Sequence, residues 1–150
     1  MRQITQTKMY RPPDHPDGLQ HGNCQRAAMA AILDLDIDGL PPFEDAMSAG
    51  AFWRGIYDWL ADRGLAYEWH PADKPPPGYS IASGPAPRGV DHAVVALDGV
   101  IVWDPHPSRA GLIEIENFMT FPPMTEVELS LRDLNRRPAA AEKIAAPEVP

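Results

Sequence analysis

The residues best suited to chemistry are one cysteine, Cys24, five histidines, and the acids and amides spaced around them. A thiolate is a strong nucleophile. Free cysteine is also among the most buried residue types, so the plain alternative for Cys24 is a small core side chain. Its neighbours favour chemistry. Cys24 follows Gly22-Asn23 and opens a run whose spacing predicts a helix. There the unpaired N–H groups of the first turn and the positive end of the helix dipole favour a thiolate. The same N–H groups could serve a developing oxyanion, and Gly22 would leave room for a substrate to approach.

A nucleophilic cysteine needs a base. His15 and His21 lie in a polar N-terminal loop and are expected to be solvated, and His70 ends a strand beside Pro71 with no role assigned. His92 opens the most apolar strand of the chain, where an imidazole is costly to bury without a partner. The plain alternative for His92 is a satisfied core histidine. A catalytic His92 needs an acid or amide to fix its tautomer and steady the imidazolium. Asp104 ends the return strand of the same hairpin. The turn at Asp98-Gly99 decides whether the two meet. A two-residue type I′ turn pairs Leu97 with Val100 and sends His92 and Asp104 to opposite faces. A bulged turn pairs Ala96 with Val100 and sets them across from each other on one face. Pairing therefore requires the bulged turn, or a bulge elsewhere in the hairpin. Candidate oxyanion amides are Gln3, Gln6, Gln20 and Gln25. Gln25 is inside the helix, Gln20 is close to Cys24, and Gln6 sits in an arm before a proline-containing loop.

These residues need elements to position them. Apolar or small residues at Cys24, Ala27, Ala28, Ala31, Ile32 and Leu35 predict a helix ending near 34–38, with Asn23 as a side-chain N-cap. A second helix is expected over 51–63, stopped by Gly64, with Trp53 and its neighbours packed in a core. Strands are expected over 65–69 and 79–83, separated by a proline-rich loop over 71–78. The hairpin from Val90 to Asp104 has nearly continuous apolar arms, so it is expected to be central and covered on both faces. Weaker strands are expected over 111–115 and 126–131. From about Arg132 no periodic apolar face remains, so the expected organisation is one domain over 1–131 and a flexible tail over 132–150. A helical portion followed by a mostly antiparallel sheet predicts an α+β fold.

Composition sets the outer limits. The chain has 150 residues, 44% of them hydrophobic, which is enough for one domain with a core. A single cysteine excludes an internal disulfide framework and any zinc site built on several thiolates. A net charge of −8 argues against broad contact with nucleic-acid phosphates. There is no apolar run long enough to cross a bilayer and no secretory leader, so the expected location is the cytoplasm, where a lone thiol stays reduced.

Gln6-Thr7, Gly22-Asn23-Cys24-Gln25-Arg26-Ala27-Ala28, Asp91-His92-Ala93-Val94-Val95 and Trp103-Asp104-Pro105-His106-Pro107-Ser108 together resemble the papain-like cysteine peptidases. The closest likeness is to the compact bacterial and phage branch, similar to bacteriocin-processing peptidases. The resemblance spans the chain to about residue 112. It implies a papain-like α+β fold, with the cysteine helix packed on a mostly antiparallel sheet. It also implies Cys24 as nucleophile, His92 as general base and then acid, and Asp104 as orienter. The oxyanion donor would be a glutamine, Gln6 in preference to Gln20. The family's glutamine-to-cysteine spacing is shorter than that from Gln6 and longer than that from Gln20, and Gln25 stands where a glycine often follows the cysteine. The expected function is a thiol hydrolase that cleaves an amide bond in a peptide or protein, with no cofactor. A protein-glutamine deamidase or acyltransferase would use the same triad. Two other classes compete: a zinc site on Cys24, His92, Asp104 and His106, and a non-catalytic binding module. Phe43, Trp53 and Trp69 are candidates to line a pocket, with core packing their plain alternative. His106 and Arg109 are expected at the cleft rim.

Overall fold

The structure is a computed structural model that describes residues 1–135. The chain divides into two compact units, one of Met1–Ala46 with Glu68–Thr120, the other of Met47–Tyr67 with the described residues 121–135.

The first unit carries α1 (Cys24–Leu33), two short 3-10 turns (Ile37–Gly39 and Phe43–Asp45) and a five-stranded sheet. Its strands are β1 (Glu68–Pro71), β2 (Tyr79–Pro85), β3 (Asp91–Leu97), β4 (Val100–Trp103) and β5 (Asn117–Thr120). All pairings are antiparallel, in the order β1-β5-β2-β3-β4. The fold is therefore α+β, as the order of elements predicts. α1 ends where Asp34 turns left-handed, at the near edge of the expected range. It packs against β2 and β3 and is buried all round from Gln25 to Ala31, not on one face alone. Alternate residues of the central strands are buried on both sides of the sheet. Ala82, Val94, Ala96 and Phe118 cluster on one side, packed by Ile101, Leu112 and Ile115. Ile81, Val95 and Met119 are buried on the other.

Three strand expectations are corrected here. The hairpin is central only through β3: β4 is the sheet edge, with Val100 and Val102 exposed, because no further strand follows it. The segment 111–115 is not a strand. It lies over the sheet, with Ile113 N bonded to Pro85 O and Glu116 N to Ser83 O, while the strand itself comes later as β5. The strand expected over 65–69 begins instead at Glu68 and runs to Pro71, into the segment expected as loop.

In the second unit, α2 (Ala49–Asp62) is capped by Ser48, whose side chain accepts from Ala51 N. Tyr57 stacks on Tyr67 with ring centroids 3.6 Å apart. The strand expected over 126–131 is a helix, α3 (Glu126–Asn135), which also takes in the first residues of the expected tail. The alternation of Val127, Leu129 and Leu131 imitates the period of a strand. Thr125 and Glu128 form a reciprocal capping box: Glu128 N donates to Thr125 Oγ1, and Thr125 N donates to Glu128 Oε1. The rest of the expected tail, 136–150, lies outside the described residues.

Candidate active site

The hairpin turn is the tight one. Leu97 pairs with Val100 and Ala96 with Ile101, with φ positive at both Asp98 (51°) and Gly99 (85°). The bulged turn is thus overturned, and this register alone would part His92 from Asp104. The register then shifts. Between Ala96 and Val95 the partner moves from Ile101 to Trp103, leaving Val102 as an extra residue on β4. This bulge restores the parity, and Asp104 emerges on the side of β4 that His92 occupies on β3. His92 Nε2 and Asp104 Oδ1 are 2.6 Å apart, both side chains almost wholly buried.

Asp104 is held from three directions. Its Oδ1 also accepts from His106 N at 2.8 Å, and its Oδ2 accepts from Gly111 N at 2.7 Å. The segment after it is a self-tied turn. Ser108 N donates to His106 Nδ1, and Arg109 Nη1 donates to the carbonyls of Asp104, Pro105 and His106. The Arg109 guanidinium also lies 4.2 Å over the Trp103 ring. Arg109, expected at a cleft rim, is exposed, and its charge is spent on carbonyls of its own turn.

The thiol is assembled from more distant pieces. Cys24 is the first residue of α1, in a half-buried position. The first helical bond is Ala27 N to Asn23 O, so the N–H groups of Cys24, Gln25 and Arg26 have no intrahelical acceptor. No acid occupies that turn, and Asn23, though at the N-cap position, makes no side-chain cap; that expectation is overturned. The Asn23 side chain instead binds the N-terminal arm, with Oδ1 accepting from Thr7 N and Lys8 N.

The arm brings Gln6 to this place. Gln6 is buried, and its Nε2 donates to Lys8 O at 2.9 Å. A flipped amide would set two oxygens against each other, so this orientation stands although Oε1 is buried without a partner. Nε2 has a second hydrogen free for another acceptor. A Cβ placed on Gly22 would touch Gln6 Nε2, Lys8 O and Tyr10 N at 3.4 Å, so the space Gly22 leaves is taken by the arm, not kept for a substrate. Gln20 donates its amide to Met9 O on an isolated bridge, and Gln25 reaches Met119 Sδ in the core. Gln3 is exposed.

Burial sets the electrostatics. It pushes the Cys24 thiol above its usual value, against the N–H groups of Ala93, Gln25 and Cys24 itself and the charge of Arg88. The Ala93 contribution puts the sulfur beside the amide that follows His92. Burial pushes His92 below the usual histidine value, opposed by its hydrogen bond and charge interaction with Asp104. For Asp104 burial works upward but is outweighed by the bonds from His92, His106 N and Gly111 N, which hold the carboxyl below its usual value. No hydrogen bond joins the Cys24 sulfur to the His92 ring among the described contacts.

The structure thus joins His92 to Asp104, brings Cys24 against Ala93, and ties Gln6 to the residues before Cys24. His106 lies beside the pair, its ring centroid 6.0 Å from that of His92. His21 is exposed and His70 bonds Thr120 Oγ1 between strands. Phe43 is buried, Trp69 is 39% exposed, and Trp53 belongs to the second unit. Two contributors escaped the sequence reading. Gly111 carries no signal, since only its backbone acts. Arg88 lies four residues before His92, and that nearness was a usable signal. Among the described residues no group of three or more His, Cys, Asp or Glu side chains is arranged to hold a metal ion. Nor is any helix among them long and apolar enough to cross a membrane. Compared with protein-family models, with curated proteins and with solved structures, the chain matches none.

Proposed function

We propose that the protein is a papain-like thiol hydrolase that cleaves an amide bond of a peptide or protein, with Cys24 as nucleophile, His92 as base and then acid, and Asp104 as orienter. The observation that carries this reading is the buried 2.6 Å bond from His92 Nε2 to Asp104 Oδ1, made beside the amide that faces the thiol. A neutral imidazole with its hydrogen on Nε2 keeps Nδ1 as a proton acceptor. The opposed shifts of Cys24 and His92 describe a resting pair of neutral thiol and neutral imidazole. At attack the thiol proton passes to Nδ1 and the sulfur bonds the carbonyl carbon. The first-turn N–H groups of α1 and the second amide hydrogen of Gln6 face the oxyanion. The imidazolium then protonates the leaving nitrogen as the C–N bond breaks, and water releases the acyl group with His92 again the base. An amine in place of that water would make the same triad a transferase.

Acylation by p-nitrophenyl acetate tests the reading. The expected result is a nitrophenolate burst of one equivalent, lost in Cys24→Ala and reduced on the order of 10²–10⁴-fold in His92→Ala. A wild-type rate equal to that of glutathione overturns it. Peptide thioesters and activity-based probes with varied acyl groups then define the substrate.

A further inference from the structure

The N-terminal arm is a strap between the two ends of the candidate site. At the hairpin end, Trp103 Nε1 donates to Ile4 O at 2.8 Å, Arg109 Nη2 to Thr5 Oγ1 at 2.9 Å, and Gln6 N to Pro105 O at 2.9 Å. At the helix end the attachment is Asn23. Its side chain is spent on the strap: Oδ1 accepts from Thr7 N at 3.0 Å and Lys8 N at 2.9 Å, and Nδ2 donates to Thr7 Oγ1 at 2.8 Å. Its main-chain N donates to Lys8 O at 3.1 Å, and that same carbonyl accepts from Gln6 Nε2 at 2.9 Å. Asn23 is 1% exposed. Asparagine is among the strongest N-cap residues, yet here it leaves the cap unmade.

We infer that Asn23 is a positioning residue that sets the oxyanion side of the site, by fixing the strap that carries Gln6 to the helix turn that begins with Cys24. The inference rests on the hydrolase reading. Lys8 O is the shared reference: Asn23 places it, and Gln6 aligns its amide on it. An uncapped first turn also keeps the N–H groups beside Cys24 for the substrate. Lys8 has a second anchor, its Nζ held by Glu44 Oε2 at 2.8 Å, with Arg26 Nη2 on the same oxygen at 3.0 Å. The strap therefore has a remaining attachment when Asn23 is replaced.

The test compares two reactions of one thiol. Alkylation by iodoacetamide is a displacement with no oxyanion, whereas acylation by p-nitrophenyl acetate passes through a tetrahedral oxyanion. In Asn23→Ala, alkylation is expected to stay within about 2-fold of wild type while acylation falls roughly 10–100-fold, less than the loss of a whole oxyanion donor. Asn23→Asp keeps the oxygen that holds Thr7 N and Lys8 N and is expected to recover most of the acylation rate. Thr7→Val removes only the acceptor of Nδ2 and is expected to lower acylation about 2–5-fold, the effect of one peripheral hydrogen bond. This variant keeps the test open should Asn23→Ala fail to fold. Equal losses in both reactions, or none in either, overturn the positioning role. A wild-type chain that acylates no faster than glutathione overturns the hydrolase reading itself, a result distinct from a fast wild type matched by Asn23→Ala.

Discussion

The two ends of the candidate site are both buried and polar, but they are built differently. At the hairpin end the contacts of Asp104 reach 12 residues back to His92 and only 2 and 7 forward to His106 and Gly111. At the thiol end Asn23 reaches back 16 and 15 residues to Thr7 and Lys8, and Lys8 meets Glu44 over a separation of 36. The Asp104 contacts of the first end are local to the hairpin and its following turn. The second exists only once the arm, α1 and the Phe43–Asp45 turn have come together, so its cost in chain ordering is greater. In the proposed hydrolase the acid–base geometry should therefore depend on register, and the oxyanion geometry on tertiary anchoring.

Inserting one alanine between Trp103 and Asp104 breaks the first end most directly. With Trp103 opposite Val95, the added residue takes the place opposite Val94, turns Asp104 to the face away from His92, and should lower acylation on the order of 10²–10⁴-fold through loss of the oriented base. A near-normal rate in the insertion would show that register does not govern the pair. The matching break at the other end is Glu44→Ala. It leaves the buried Arg26 guanidinium without its carboxylate and should cost about 3–5 kcal/mol, read as a fall in the urea midpoint at constant slope. Lys8, whose pKa is raised chiefly by its hydrogen bond to Glu44, should titrate lower in that variant.

Gly99→Ala should have a smaller effect. Its φ of 85° is left-handed, and a Cβ would come within 2.6 Å of Pro75 Cβ, so a loss of at least about 1–2 kcal/mol is expected. The loss should fall on the hairpin, with Cys24 alkylation unchanged in the folded fraction.

The smallest expected effect is in the pH dependence of stability. His92 has a folded value below its unfolded one, so the unfolded chain takes up the proton first as pH falls. Stability should decline below the ordinary histidine range, with a slope from this group of at most about 1.4 kcal/mol per pH unit. Asp104, held low, adds stability above the ordinary carboxylate range that is lost as pH falls further, through its folded value. His92→Gln should flatten the first decline and leave the acid-side loss; an unchanged profile between pH 7 and 5 would contradict the assignment.

Legibility in the sequence followed the same division. The start of α1 at Cys24, its stop near Asp34 and the hairpin around Asp98-Gly99 rest on spacing and turn chemistry within a few residues, and all three were readable. β5 was not. Four residues between an uneven apolar segment and Pro122-Pro123 show no period, and the strand gains its place only by pairing with β1 and β2. α3 carried a local signal, Thr125 to Glu128, masked by alternation at Val127, Leu129 and Leu131. The local sequence offers the Asn23 side chain a cap, the nearest acceptor role, whereas three bonds to a distant arm satisfy it more fully.

By itself the sequence determined which residues are candidates for chemistry and which elements hold them. A thiol at a helix start and a histidine and aspartate on one hairpin are set by local spacing, turn residues and hydrophobic period. Only the tertiary structure decided how they face one another. The Val102 bulge, the burial of Gln6, the strap on Asn23 and the carboxylate shared by Lys8 and Arg26 all depend on partners far along the chain. Buried polar groups must find acceptors and donors wherever packing brings them, and no short window of sequence contains both halves of those bonds.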